Sequence, residues 1–165
     1  MRVFHDILRA LQANDVRYVL VGGVAVVLHG FARFTKDLDL VVDLQPDEAR
    51  RAIQTLLDCG LRPRVPVNAF DFADAQKRQE WLEQKNMLVF QMVDERDLRR
   101  NVDLFISYPI EFERLWDSSD IIDLEGVAVR VSSIDDLIEI KKSVARPQDL
   151  IDVEQLERLK NADEH

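Results

Sequence analysis

Cysteine is almost missing. Cys59 stands alone in 165 residues, so no intrachain disulfide can brace the fold. A lone thiol suits a reducing compartment, and a cytoplasmic location is expected. Histidine is scarce as well, and three scattered imidazoles form no zinc pattern. Positive charge is in deficit: 22 Lys and Arg face 31 Asp and Glu, a net charge of −9. That argues against general affinity for nucleic-acid backbones, which needs clustered cations, but leaves room for a locally basic cleft. No apolar run approaches the roughly 20 residues of a membrane span, so no membrane partner is expected. Residues 1–11 are interrupted by His5, Asp6 and Arg9, so no signal peptide is expected. Repeats and low-complexity segments are absent too. What is present is 47% hydrophobic residues, enough for a real core. The length predicts one domain over 1–160 with a frayed tail at 161–165.

Hydrophobic spacing gives the elements. Val3, Phe4, Ile7, Leu8 and Leu11 make 2–13 an amphipathic helix. Arg17 to Val21 reads as a short strand, and Gly22-Gly23 opens an apolar helix from Val24 to His29, stopped by Gly30. Asp37 to Val42 is the next strand. A helix carrying Ala49, Ala52, Ile53, Leu56 and Leu57 follows Pro46 and closes at Gly60. Residues 61–70, with Pro63 and Pro66, read as irregular or edge structure, and 71–84 as a polar helix marked by Trp81. Met87–Val93, Asn101–Ser107 and Val127–Val131 are strand candidates. Phe112–Trp116 is a short apolar-aromatic stretch. Ser132 or Ser133 can cap a helix over 134–144, and Arg146-Pro147 separates it from a last helix over 148–159. The order predicts an α/β (α+β) fold, a mixed sheet with helices mainly on one face.

The chemistry concentrates where two aspartates alternate in a hydrophobic strand, Asp37-Leu38-Asp39-Leu40-Val41-Val42. Alternate strand residues share a face, so the two carboxylates project together with Cα atoms roughly 6.5–7 Å apart. Side by side they repel unless a positive charge sits between them, and a divalent cation, usually Mg²⁺, is the common solution. Thirteen residues upstream, the paired glycine ends an apolar strand and opens a helix, where backbone N–H groups attract phosphate. A glycine pair alone is most often a tight turn, and Asp-x-Asp alone is common on exposed strands. Together they point to nucleotide chemistry.

Gly22-Gly23 followed by Asp37-Leu38-Asp39-Leu40 resembles the signature of the polymerase β-like nucleotidyltransferase superfamily. Arg33-Phe34-Thr35-Lys36 resembles the approach to that motif in stand-alone bacterial, abortive-infection-type and minimal members. Asn101-Val102-Asp103-Leu104-Phe105 resembles the strand carrying the third carboxylate. Asp136 to Lys141, followed by Arg146-Pro147-Gln148-Asp149 and Asp152, resembles the C-terminal element. The resemblance implies a nucleotidyltransferase fold. It also implies transfer of a nucleoside monophosphate from a nucleoside triphosphate, ATP by preference, to an acceptor hydroxyl. Asp37, Asp39 and Asp103 would bind two Mg²⁺ ions and carry the catalysis. Gly22, Gly23, Lys36 and Lys141 would hold the nucleotide. The acceptor stays open between protein, tRNA and small molecule. Some relatives pair as toxin and antitoxin, so a cognate partner and a catalytically silent binding module are the rival readings.

Other residues read more plainly. Asp94, Glu95 and Asp97 sit in a charge-dense turn and are expected to be solvated. Arg146, Asp149 and Asp152 are expected to form ion pairs between the last two helices. Lys141 is either a nucleotide contact or a surface lysine, and Trp81 either packs its helix or walls the acceptor pocket. Arg33, Thr35 and Lys36 either shape the site's rim or cap and solvate. His29 is read as a helix-end residue, Cys59 as a core residue and Lys142 as solvated.

Overall fold

The computed structural model describes residues 1–165. Helix α1 (Arg2–Ala13) buries Phe4, Ile7, Leu8 and Leu11, one stripe at helical spacing. Strand β1 (Tyr18–Val21) is buried at every position, and helix α2 (Gly22–Leu28) follows without a linker. After β2 (Asp37–Val42), helix α3 (Pro46–Asp58) starts on Pro46 with Asp47 and Glu48 in its first turn, where acids suit the helix dipole. Then come β3 (Arg62–Pro63), a 3-10 turn (Ala69–Ala73), α4 (Ala75–Lys85), β4 (Val89–Val93) and β5 (Asn101–Phe105). The chain ends through α5 (Phe112–Ser118), the hairpin β6 (Asp120–Leu124) and β7 (Val127–Val131), α6 (Ile134–Val144) and α7 (Pro147–Asp163). No helix is long and apolar enough to cross a membrane.

The strands make one mixed sheet in the order β3-β4-β5-β2-β1-β7-β6. β1 runs antiparallel to β2, while β2 and β5 are parallel neighbours. The pleat sends alternate residues to opposite faces. Leu38, Leu40, Phe90, Met92, Val102 and Leu104 point into a core of 32 buried residues shared with α1, α3 and α4. Trp81 belongs to it, stacked on Phe90 at 5.2 Å, so it packs α4 to the sheet. The other face carries a core of only five buried residues, Val19, Val21, Val41, Ile110 and Leu115. There α5 packs on β1. The helices thus lie mainly on one face, as the element order predicts.

Several boundaries differ from the sequence reading. Strand β6 went unseen because it is a sheet edge: Ile121 is 62% exposed, so its alternation carries no clear inward face. The helix expected over 71–84 starts later because Asp74 caps it, accepting hydrogen bonds from the Gln76 and Lys77 amides. Helix α7 runs to Asp163, so residues 161–163, expected to fray, are helical. Asp94 is no solvated turn residue. It is buried and accepts from Arg100 at 2.5 Å, and Arg100 also pairs with Asp6, tying this turn to α1. Cys59 ends α3 as expected, half-buried and packed against the main core, with its carbonyl accepting from Arg100. His29 stands at the end of α2 as expected, its ring 2.8 Å from the Ser132 carbonyl oxygen.

Candidate active site

The alternation of β2 decides which side chains can do chemistry. Leu38 and Leu40 are fully buried in the main core, so Asp37 and Asp39 must face the other way, where they are half-buried. The parallel pairing of β2 with β5 places Asp103 directly across from Asp39, between the buried Val102 and Leu104. The three aspartates therefore share one face of two neighbouring central strands. Antiparallel pairing with β1 sets Val21 opposite Asp39 and brings the paired glycine to the same place. A Cβ on Gly22 would collide with the Asp39 carboxylate, and Gly22 adopts φ +71°, a left-handed conformation that costs other residues roughly 1–2 kcal/mol. A Cβ on Gly23 would come within 2.8 Å of the Thr35 hydroxyl. Both glycines thus let the β1–α2 corner close on β2 and its approach. The helix they open is seven residues long.

Crowding of the carboxylates is visible in their ionisation. Asp39 is pushed up to about 7, first by burial and then by the charges of Asp103 and Asp37. Asp103 is pushed up to about 6 by burial and by Asp37. Asp37 rises for the first of these reasons, against the pull of Lys36 and Arg64. Tyr108, after β5, has its phenol raised by burial and by the charges of Asp39 and Asp136, which sets it beside the cluster. Its ring packs edge-on to Phe105 at 4.8 Å.

Cations surround the cluster unevenly. Lys36 is exposed next to Asp37. Lys141 is neither a surface lysine nor a free one. Its ammonium is buried, 2.8 Å from Asp152 and 3.5 Å from Asp149, and its charge also reaches Asp39. Asp152 is wholly buried and also accepts from Arg33 at 2.6 Å and from Gln148 at 3.0 Å. Arg146 pairs with Asp149 at 2.8 Å across the first turn of α7. Ion pairs do join the last two helices, but through Lys141 rather than Arg146, whose pair with Asp149 lies within the start of α7; Arg33 on Asp152 also anchors the approach to β2. Lys142 pairs with Glu157 at 3.0 Å on the outside of the same helix pair.

Two residues on the far side of Asp103 carry no motif and were missed in the sequence. Gln91 lies directly across from Asp103 on β4. Arg64, just past β3, donates its backbone N–H to the Gln91 carbonyl at 2.9 Å and its guanidinium to the Gln91 side-chain oxygen at 2.6 Å. Only strand register reveals them.

Oxygen donors suit a hard divalent cation. Asp103 Oδ1 is buried with no hydrogen-bond donor, an unmet need that a cation would answer. The carboxylates that raise one another's pKa are a donor set of the right kind, so the residues fit Mg²⁺. They are neighbours through the sheet rather than a closed cage, since no three acidic, His or Cys side chains gather as a metal cluster.

A family model described as a nucleotidyltransferase of unknown function (DUF6036) matches residues 1–163. The chain belongs to this nucleotidyltransferase family. Solved structures of low identity share its fold. The lincosamide antibiotic adenylyltransferase LnuA, solved with lincomycin bound, is 16% identical with a TM-score of 0.64, covering 96% of each chain. The antibiotic-resistance factor ANT(2'')-Ia is 15% identical with a TM-score of 0.59, over 99% of this chain and 90% of that one. A nucleotidyltransferase from Thermotoga maritima, TM1012, is 12% identical with a TM-score of 0.56, over 98% and 92%. No curated protein sequence matches the chain. The DUF6036 chain thus has a nucleotidyltransferase fold, and its three aspartates lie on the face opposite the main core.

Proposed function

We propose that this protein transfers a nucleoside monophosphate, AMP by preference, from a nucleoside triphosphate to a hydroxyl of a small molecule, releasing pyrophosphate. The observation that carries this reading is the register of Asp37, Asp39 and Asp103, three acids on one face of β2 and β5 with Gly22 closed against Asp39. The small-molecule acceptor rests on the net charge of −9, unfavourable for a long RNA, on the lincomycin bound to LnuA and on the adenylyl-2''-tobramycin in a structure of ANT(2'')-Ia.

Asp37, Asp39 and Asp103 would hold Mg²⁺. Bound there, the metal supplies charge neutralisation at the reacting phosphate and a lowered pKa for the acceptor hydroxyl. The protein's own groups do the rest. Gly22 and Gly23, closed against Asp39 and Thr35, would set the backbone N–H groups of the β1–α2 corner beside the carboxylates, where phosphate oxygens would meet them. Lys36 and Lys141 add positive charge on either side of the pair, Lys141 from a fixed buried position between Asp149 and Asp152. Asp103, opposite Asp39 and with Oδ1 lacking any hydrogen-bond donor, would take the proton of the attacking hydroxyl.

The test is label transfer. With Mg²⁺ and α-labelled ATP, wild-type protein should label a species in the small-molecule fraction of a cell extract, and Asp37→Ala should not. The α-label is informative because nucleotidyl transfer leaves the α-phosphate on the product. Circular dichroism of Asp37→Ala should match wild type. Label transfer by a folded Asp37→Ala protein contradicts the assigned site. Mg²⁺-dependent nucleotide binding without transfer favours the silent-module reading.

A further inference from the structure

The strand register runs one polar line across three strands on the open face, Asp39 on β2, Asp103 on β5 and Gln91 on β4, and Arg64, just past β3, continues it. The neighbours of Gln91 on this face, Val89 and Val93, are only half-buried, and α5 packs further along the sheet, on β1. A glutamine and an arginine at this position need a reason.

The chemistry of the two side chains supplies one. A guanidinium has donors only, so the group it meets at 2.6 Å must be the Gln91 amide oxygen. With its oxygen turned to Arg64, the amide has its N–H₂ end free to donate. The group across the strand is Asp103, an acceptor in its ionised form. The backbone bond from Arg64 to the Gln91 carbonyl, 2.9 Å, holds the two residues in step, so the exposed Arg64 side chain starts beside the amide it meets. Asp103 Oδ1 has no donor of its own.

We propose that Arg64 and Gln91 are positioning residues for Asp103. Arg64 fixes the amide of Gln91, and the amide fixes the carboxylate of Asp103, leaving Oδ1 for the reaction. The arrangement itself is independent of the transfer reaction, while its effect on rate rests on the function proposed above.

Two readouts separate the two claims. The first is the side-chain amide signal of Gln91 in ¹⁵N–¹H spectra of the ligand-free protein, assigned by its loss in Gln91→Leu. It should lie away from the free-glutamine position in wild type, return towards it in Arg64→Ala, and be partly restored in Arg64→Lys. The second is the rate of transfer from α-labelled ATP. Gln91→Leu should lower the rate about 10–100-fold, the usual cost of removing such a supporting partner, with the KM for ATP unchanged within about twofold. Arg64→Ala should lower it less, and Arg64→Lys should recover part of the loss. A Gln91 amide at the free position in wild type, or unmoved by Arg64→Ala, overturns the proposal. So does an unchanged rate in Gln91→Leu. A shifted amide in a wild-type protein that transfers no label supports the arrangement and contradicts the transfer reading instead.

Discussion

The two faces of the central sheet are built from the same strands and obey opposite rules. On one face, Leu38, Leu40, Val102, Leu104, Phe90 and Met92 are sealed under α1, α3 and α4. On the other, the intervening residues Asp37, Asp39, Asp103 and Gln91 are half-buried, and three of them are acids beside one another. The first face gains stability from area removed from water. The second gives some back, because burial and mutual repulsion both disfavour its ionised carboxylates. The sealed face holds the strands in register, and register alone brings Asp39 and Asp103 together. The stability of one face is what allows the other to stay strained.

The sharpest way to break this division is to change the contact between a backbone and a carboxylate. Gly22→Ala places a methyl group where the Asp39 carboxylate lies, at a φ of +71°. Nucleotidyl transfer should fall by more than about 100-fold, the scale of a misplaced catalytic group, while the fold survives with a loss of roughly 1–2 kcal/mol. Activity and urea unfolding measured on the same sample check both halves. If the sealed face carries the stability, the opposite pattern should follow from Phe90→Ala. Phe90 is wholly buried and stacked between Phe72 and Trp81. The variant should lose about 3–5 kcal/mol in urea unfolding, with residual activity in proportion to the folded fraction.

A smaller effect sharpens the comparison through pH. Asp39 titrates near 7 in the folded protein, above the ordinary 3.8, so the folded state keeps a proton that the unfolded chain has lost. Its contribution to stability is therefore fully present below about 4 and is lost as the pH rises through about 7. Asp39→Asn removes that loss. Metal-free Asp39→Asn should be more stable than wild type at pH 8 by about 2–4 kcal/mol, the lower end allowing for solvent screening of the half-buried carboxylate, with the difference vanishing near pH 4. Thermal melts of both proteins across this range test it. A variant less stable than wild type at pH 8 would mean that the charge of Asp39 is stabilised by its surroundings, against the account of the open face.

How much of this was legible in the sequence follows the same division. Asp37, Asp39 and Asp103 stood out because acids inside apolar strands break the alternation that surrounds them. Gly22 and Gly23 stood out by their place after β1. Helix α1 and the start of β2 were readable because their burial is one-sided and regular. Strand β6 was not, because an edge strand with an exposed Ile121 has no inward face to mark it. Asp94 was misread for a related reason: its partners Arg96 and Arg100 are close in sequence, but the bond from Arg100 to Asp6 crosses to α1. Lys141 was placed near the nucleotide by motif, while its pairing with Asp149 and Asp152 needed the crossing of α6 and α7. Gln91 and Arg64 left no trace at all, since their role depends on which strands lie side by side.

The account's central claim is that the acidic face is a site for metal-bridged nucleotide. Calorimetric titration with a non-hydrolysable ATP analogue, with and without Mg²⁺, tests it most directly. Binding should require Mg²⁺, and Asp39→Asn should weaken it at least tenfold, because one of two adjacent charges drawing the metal is gone. Equal affinity with and without Mg²⁺, or an unchanged affinity in Asp39→Asn, would contradict it.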